Sequence, residues 1–423
     1  MTSWPATLAV QRYLTPYTFT TLAGGAAHGS TDGPGGAARF YAPGGLTVDD
    51  AGNTYVADTT NNTIRKVTAS GIVSTIAGTT NSPFFASADG PGDAAMFFWP
   101  SGVAVDAAGS LYVADTYNHT IRKVTPHGTN WVVTTLAGAA GSRGNADGVG
   151  NVARFNTPFG VAADRAGNLF VADSQNNTIR KVTPEGAVTT IAGLAGAVGG
   201  ADGNGSAASF RSPFGVAVDG SGAVFVADNN NHTIRKLTLM GTNWMVTTMA
   251  GKAGSWGAAD GPGDSARFDH PRGVAVDLAG NVYVADTTNC SIRKITPEGM
   301  VTTLAGFGAG NADGVGRAVR FWEPQGVAVD RAGNVYVADA FNNSIRKGYP
   351  TTVLANPGTS ASVGGREYSF SLSGPPGRFV VVESSTDLAT WLPIWTNTFT
   401  TNLSFSDLLS DSFSRRFYRA RLP

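Results

Sequence analysis

An all-β fold is predicted, a ring of six radially packed sheets closed by its own N-terminal strand, and three observations predict it. First, a Val-Ala-Asp tripeptide recurs with its aspartate at Asp58, Asp115, Asp173, Asp228, Asp286 and Asp339, at spacings of 57, 58, 55, 58 and 53 residues. Second, each period holds four short β-rich runs separated by Gly, Asn and Asp punctuation, the pattern of consecutive hairpins. Third, the last run of the unit, Thr-x-x-Ala-Gly in most copies, occurs once before every other repeat element, ending at Gly24, and is missing after Lys347. A regular period of this length means stacked supersecondary units. Four strands per unit and six units give a six-bladed β-propeller.

The second copy serves as the template. Gly102 to Asp106 reads as the first strand, Ala107-Ala108-Gly109 as a turn, and Leu111 to Asp115 as the second strand. Thr120 to Thr125 reads as the third, Pro126 to Asn130 as a turn, and Trp131 to Ala137 as the fourth. The third strand carries Ile-Arg-Lys, with Arg65, Arg122, Arg180, Arg235, Arg293 and Arg346 in the repeated slot. Tyr17 to Ala23 is expected to supply the missing fourth strand of the last blade, which removes two open sheet edges. After Pro350 the chain changes character. A Thr, Ser, Gly and Pro stretch from 351 to 363 reads as a linker or a first edge strand. Strands follow at Glu367 to Leu372, Arg378 to Ser384, Trp391 to Thr396, Leu403 to Asp407 and Arg416 to Arg421. They fit a small β-sandwich with Trp391, Trp395, Phe379, Phe405, Phe417 and Tyr418 as core. The expected organisation is an extension at 1–16, the propeller at 17–349 and the accessory domain at 350–423.

The order Asp-Gly, Ala-x-x-Phe, Pro-x-Gly-Val-Ala-Val-Asp, Ala-Gly-Asn-x-Tyr-Val-Ala-Asp, Asn-x-Thr-Ile-Arg-Lys resembles NHL repeats. It is similar to the long-period form of secreted and surface proteins of bacteria and of some plant proteins, over residues 17 to 347. The C-terminal motif from Glu383 to Trp391, ending in Arg416-Phe-Tyr-Arg-Ala-Arg421, resembles modules of large exported proteins of Verrucomicrobia-like bacteria. The resemblance implies a propeller and an exported setting. It does not select among interaction modules, glycan binders, zinc lyases and calcium lactonases, because one fold hosts many sites.

Composition narrows the partners. Thirty basic residues balance thirty acidic ones, which argues against nucleic acid or an anionic membrane as main partner, since either normally calls for a basic face. No transmembrane run is present, and Met1 to Tyr17 does not read as a signal peptide, so an exported precursor would carry one that this sequence lacks. Cys290 is the only cysteine, in a slot filled by Asn62, His119, Asn177, His232 and Asn343 elsewhere, and reads as a tolerated small residue.

Groups that repeat six times read as architecture. The Val-Ala-Asp aspartates and the Ile-Arg-Lys arginines face each other across a hairpin, an arrangement for charge-assisted bonds. The Asn-x-Thr/Ser asparagines (Asn61, Asn118, Asn176, Asn231, Asn289, Asn342) read as turn formers in a left-handed conformation rather than glycosylation sites. The Asp-Gly aspartates (Asp32, Asp89, Asp147, Asp202, Asp260, Asp313) leave structural calcium open, although each loop offers few oxygens. No other cofactor is expected.

A functional site is sought where the copies differ. Following the proline before the first strand stand Gly44, Ser101, Phe159, Phe214, Arg272 and Gln325. Preceding it stand Ala42, Trp99, Thr157, Ser212, His270 and Glu323, and one residue further back Tyr41, Phe98, Asn156, Arg211, Asp269 and Trp322. Two residues after Val-Ala-Asp come Thr60, Tyr117, Gln175, Asn230, Thr288 and Phe341. Trp99, Tyr117, Phe159, Gln175, Phe214, Asn230, His270, Arg272, Trp322, Glu323, Gln325 and Phe341 are therefore the expected ligand-binding face. Aromatic platforms beside amides and charges suit a glycan or a peptide. The expected function is a non-enzymatic extracellular or cell-surface binding module. A self-associating structural subunit is one alternative, and a metal-dependent lyase or lactonase-like hydrolase at the central channel is the other. For the last, Glu323, Asp269 and Asn156 are the residues that could imitate a calcium set, and histidines are too few at the mouth for a three-histidine zinc site.

Overall fold

The computed structural model describes residues 17–80, 83–350, 354–356, 367–373, 379–386, 390–398, 403–408 and 417–421. Thr18–Tyr349 forms one compact unit, and Pro350–Pro423 belongs to a second. The first unit is a six-bladed propeller. Each blade is an antiparallel sheet whose innermost strand, such as Pro100–Val105, pairs with a second, Leu111–Asp115, then a third, Thr120–His127, then a fourth, Asn130–Gly138. The blade is wider than the expected four strands. A two-residue strand just after the Asp-Gly aspartate, Gly90–Pro91 in blade two, adds a fifth on the outside in five blades. In blade five a bridge between Gly261 and Val301 stands in its place. The expected Pro126–Asn130 turn is also shorter in fact. Pro126 and His127 continue the third strand opposite Trp131 and Asn130, and the chain reverses at Gly128, with φ 63°.

The second strands, such as Leu111–Asp115, are buried along their whole length because a blade covers each face, hence their unbroken Leu-Tyr-Val-Ala run. The third strand has a different problem, since Ile121 and Arg122 are consecutive and both fully buried. A register shift between them against the fourth strand solves it, and the same Ile/Arg bulge recurs in four other blades. The cores lie between blades. Phe155, Val161 and Leu169 of blade three pack with Tyr112, Ala114 and Ile121 of blade two. Tyr336, Ala338 and Ile345 of blade six pack with Leu46, Val56 and Val67 of blade one, so the core itself runs round the ring.

Closure follows the expected route. Tyr17–Gly24 lies in the last blade between Ser344–Pro350 and the outer pair Gly314–Val315. Phe19 is fully buried, edge-on to Phe321 with ring centroids 5.3 Å apart. A Cβ at Gly348 would collide with the Phe19 ring, which explains glycine where other copies have Val, Leu or Ile.

The second unit contains two three-stranded sheets. One joins Leu354–Asn356, Glu367–Ser373 and Leu403–Leu408; the other joins Leu392–Thr398, Phe379–Ser385 and Phe417–Arg421. Trp395 of one sheet meets Phe405 of the other at 5.7 Å between ring centroids, the contact of a small sandwich. Arg416 and residues 1–16 lie outside the described residues.

Candidate functional site

The loop-rich end of the ring is assembled on a repeated charge hub. In blade three, Asp173 ends the second strand fully buried and accepts from the backbone N–H of Asn156, from Asn176 Nδ2 and from Arg180. Arg180 also donates to the carbonyls of Arg154 and Ala146 and to Asp147, and lies over the Phe155 ring at 5.2 Å. One guanidinium thus ties together the Asp-Gly segment, the Ala-x-x-Phe segment and the end of the second strand. Burial pushes the Asp173 carboxyl up to about 6, which leaves it ionised against Arg180 at neutral pH. The same bonds recur in the other blades.

This hub bears on two of the repeated groups. The Asp-Gly carboxylate is committed to a guanidinium and a threonine: Asp147 accepts from Arg180 at 2.7 Å and from the N–H and Oγ1 of Thr190. A calcium ion there would face a fixed positive charge, so these aspartates serve as architecture. The left-handed residue is not the Asn-x-Thr asparagine but its successor. Asn62, His119, Asn177, His232, Cys290 and Asn343 have φ between 50° and 60°. Asn61 instead is buried, donating to Asp58 and to the Gly29 carbonyl.

Those left-handed successors do further work between blades. Asn62 Oδ1 accepts the Trp99 N–H, His119 Nδ1 the Thr157 N–H, Asn177 Oδ1 the Ser212 N–H, and His232 Nδ1 the His270 N–H. Asn343 Oδ1 accepts the Ala42 N–H and so latches blade six to blade one. The receiving residues, which precede the repeated proline, are themselves left-handed in all six blades: Ala42, Trp99, Thr157, Ser212, His270 and Glu323, with φ from 47° to 57°. The latch thus holds a strained backbone that turns these side chains outward. Accepting at Nδ1 requires neutral imidazoles. Burial lowers the His119 pKa, with Arg143 adding to it, and burial followed by the neighbouring His270 lowers that of His232.

The structure brings the sequence-expected residues together as two halves of one face. Residues two before the proline and two after Val-Ala-Asp are joined in each blade by a backbone bond, as Tyr117 N–H to Phe98 O and Phe341 N–H to Trp322 O. Because the ring closes, blades six, one and two are contiguous, and there these positions are mostly aromatic. Trp322 and Phe341 stack at 5.8 Å and are 47% and 50% exposed. His28 stacks on Tyr41 at 4.5 Å. Trp99 and Tyr117, 5.4 Å apart and 40% and 41% exposed, extend over Phe98 to the exposed Phe84 and Phe85. Phe84 and Phe85 lie outside the aligned slots, because the loop between Gly78 and Asp89 is two to four residues longer than its counterparts in the other blades.

In blades three to five the same positions are polar: Asn156 with Gln175, Arg211 with Asn230, Asp269 with Thr288. Nearer the axis, Phe159 stacks on Phe214 at 4.3 Å and Arg272 covers Phe214 at 5.4 Å. These three fill one side of the mouth, half-buried, whereas Gly44 and Ser101 leave the other side small. Gln325 is half-buried on blade six, and Glu323 acts electrostatically on Arg272. The glycine after each of these residues is required by close approach, since a Cβ on Gly160 would collide with the Phe214 carbonyl and one on Gly102 with that of Phe159. Deeper along the axis lies a cavity of about 170 Å³ lined by residues such as Val103, Ala104, Val161 and Val274. Its lining offers no imidazole or carboxylate. Asn156, Asp269 and Glu323 stand on blades three, five and six, and Asp269 is grouped with His232 and His270.

Comparison with known proteins agrees with the architecture. The NHL repeat model matches residues 97–124, 210–237, 268–295 and 321–347, within blades two, four, five and six. NHL repeat-containing protein 2 of Bos taurus is 30% identical over 329 residues, covering 68% of this chain and 44% of the relative. Protein SUPPRESSOR OF QUENCHING 1, chloroplastic, of Arabidopsis thaliana is 30% identical over 271 residues, covering 61% of this chain and 26% of the relative. The chain spans less than half the length of either. An auxiliary nutrient binding protein from Bacteroides thetaiotaomicron superposes with a TM-score of 0.60 at 19% identity, over 78% of this chain and 76% of that one, and shares the fold. With its repeats in register and its ring closed by the N-terminal strand, the chain is an NHL-repeat β-propeller protein.

Proposed function

We propose that the protein is a non-enzymatic extracellular or cell-surface binding module that takes an extended glycan or peptide across the loop-rich face of the propeller. One observation carries this reading: exposed aromatic side chains are gathered on blades six, one and two, beside a polar half on blades three to five. Fixed aromatic faces suit the apolar faces of sugars and of peptide side chains, and the neighbouring amides and charges suit their polar groups. The face is rigid. Its turns are held by buried ion pairs and inter-blade latches, so little ordering cost attends binding. The likeness in fold to an auxiliary nutrient binding protein is consistent with a binding role. The test is calorimetry of the full chain against a panel of soluble polysaccharides and extended peptides, with sedimentation in parallel. Saturable binding of one class is expected and identifies it. Concentration-dependent self-association with no ligand in either class would overturn the proposal in favour of a structural subunit.

A further inference from the structure

We propose that His232, Asp269 and His270 form a binding site for one divalent transition-metal ion on the loop-rich face, at the seam between blades four and five. Each offers a ligand atom, and the three atoms lie within 4.8 Å of one another. His270 Nδ1 is 2.7 Å from Asp269 Oδ1, His232 Nδ1 is 3.7 Å from the same oxygen, and the imidazole rings are 4.6 Å apart, edge to face. His232 Nδ1 accepts the His270 N–H at 3.1 Å in the metal-free site, so coordination through that atom replaces this latch. The Thr288 hydroxyl lies 3.5 Å from His270 Nδ1. The Asp269 segment is pinned from behind, its N–H donating to the hub carboxylate Asp286 at 2.7 Å.

The repeat shows that architecture does not require these three residues. The His232 slot holds Asn62, Asn177 and Asn343 in other blades, the Asp269 slot holds Asn156, and the His270 slot holds Ser212 and Ala42. Asn62, Asn177 and Asn343 make the same latch, Ser212 and Ala42 have the same left-handed backbone, and the Asn156 N–H bonds its hub aspartate as that of Asp269 does. Among the described residues, only at this seam do three metal-ligating types coincide. His119, in the His232 slot of blade two, accepts the Thr157 N–H, and the slots that hold Asp269 and His270 in blade five hold Asn156 and Thr157 there. Two imidazoles and one carboxylate suit zinc or a neighbouring first-row metal, whereas calcium and magnesium favour all-oxygen shells. Ligands about 2.0–2.1 Å from zinc stand roughly 3.4 Å apart in a tetrahedron. The His270 Nδ1–Asp269 Oδ1 separation of 2.7 Å therefore has to open by roughly 0.7 Å, and the exposed His270 ring has room to do so. Three protein ligands leave the fourth position facing solvent, available to an oxygen of a bound molecule.

The test uses the full chain stripped by a chelator and titrated with Zn²⁺ by calorimetry and with Co²⁺ by visible absorption. One ion per chain is expected, with the intense visible bands of a tetrahedral cobalt site. His232→Asn and His270→Ser, residues the fold already accepts in those slots, should each weaken uptake by at least about tenfold. His119→Asn should leave it unchanged. Melting curves of the stripped variants matching the stripped wild type would show that folding is intact. Absence of saturable uptake, or equal affinity in His232→Asn, His270→Ser and wild type, would overturn the site. Neither result bears on ligand binding at the aromatic half.

Discussion

Replacing one hub aspartate tests the energetic frame of the ring. In Asp173→Ala, the fully buried Arg180 loses the bond made by its inner nitrogen, the Asn156 N–H loses its acceptor, and Asn176 Nδ2 keeps only the Gly144 carbonyl. Arg180 retains Asp147 and two carbonyls, but its Nε already has no hydrogen-bond partner in the protein. Removing one member of a buried pair costs about 3–5 kcal/mol, because the remaining charge stays out of water. Asp147→Ala is the internal comparison. Its carboxylate also bonds Arg180, but it is about half exposed (48%), so water can replace it, and about 1 kcal/mol is expected. Urea unfolding of both variants at pH 7.5 gives the two values. A loss at Asp147 equal to or larger than that at Asp173, or a loss below about 1 kcal/mol at Asp173, would refute the hub as the main anchor of the turn.

Two further consequences follow from closure and from the latches. Phe19→Ala empties a fully buried site on the single strand that joins the chain ends, and should cost about 3–5 kcal/mol in a melt, with new self-association in sedimentation as the last blade loosens. For His119 the folded pKa is depressed below the ordinary 6.5, so its stabilising share is complete above 6.5 and is lost as pH falls from 6.5 through the folded value. The Tm of wild type should therefore drop more between pH 7.5 and 5.5 than that of His119→Asn, and equal drops would remove the latch from the account.

What was legible in the sequence is what repeats. The period, the orphan fourth strand at Tyr17–Gly24 and the Asp–Arg pairs are each stated by several copies in register, so a local pattern carries them. The two-residue outer strands were not legible, since Gly-Pro or Gly-Val after an aspartate carries a turn signal and no strand signal. Pro126 was read as a turn because it cannot donate to a ladder, yet it sits in the third strand opposite Trp131. The left-handed position was misassigned by one residue because two polar residues stand side by side at Asn61-Asn62, and either chemistry fits a turn. For the site, the variable slots were visible in aligned copies. Their division into an aromatic and a polar half depends on blade six meeting blade one. His232 stands in a slot filled by Asn, Cys or His across the copies, which hides it; the available signal is a second histidine in the next blade at the position that slot latches to.

The most direct test of the binding face is a double variant, Trp99→Ala with Trp322→Asn, measured beside wild type for ligand affinity and for melting. Ala42 and Asn156 occupy those two slots in other blades, and Ala42 has nearly the backbone of Trp99, with φ of 47° against 55°. Both tryptophans are about half exposed, so the account expects affinity for the identified glycan or peptide to fall at least about tenfold, with a Tm within a few degrees of wild type. Unchanged affinity, or a large fall in Tm that accounts for the loss, would contradict it.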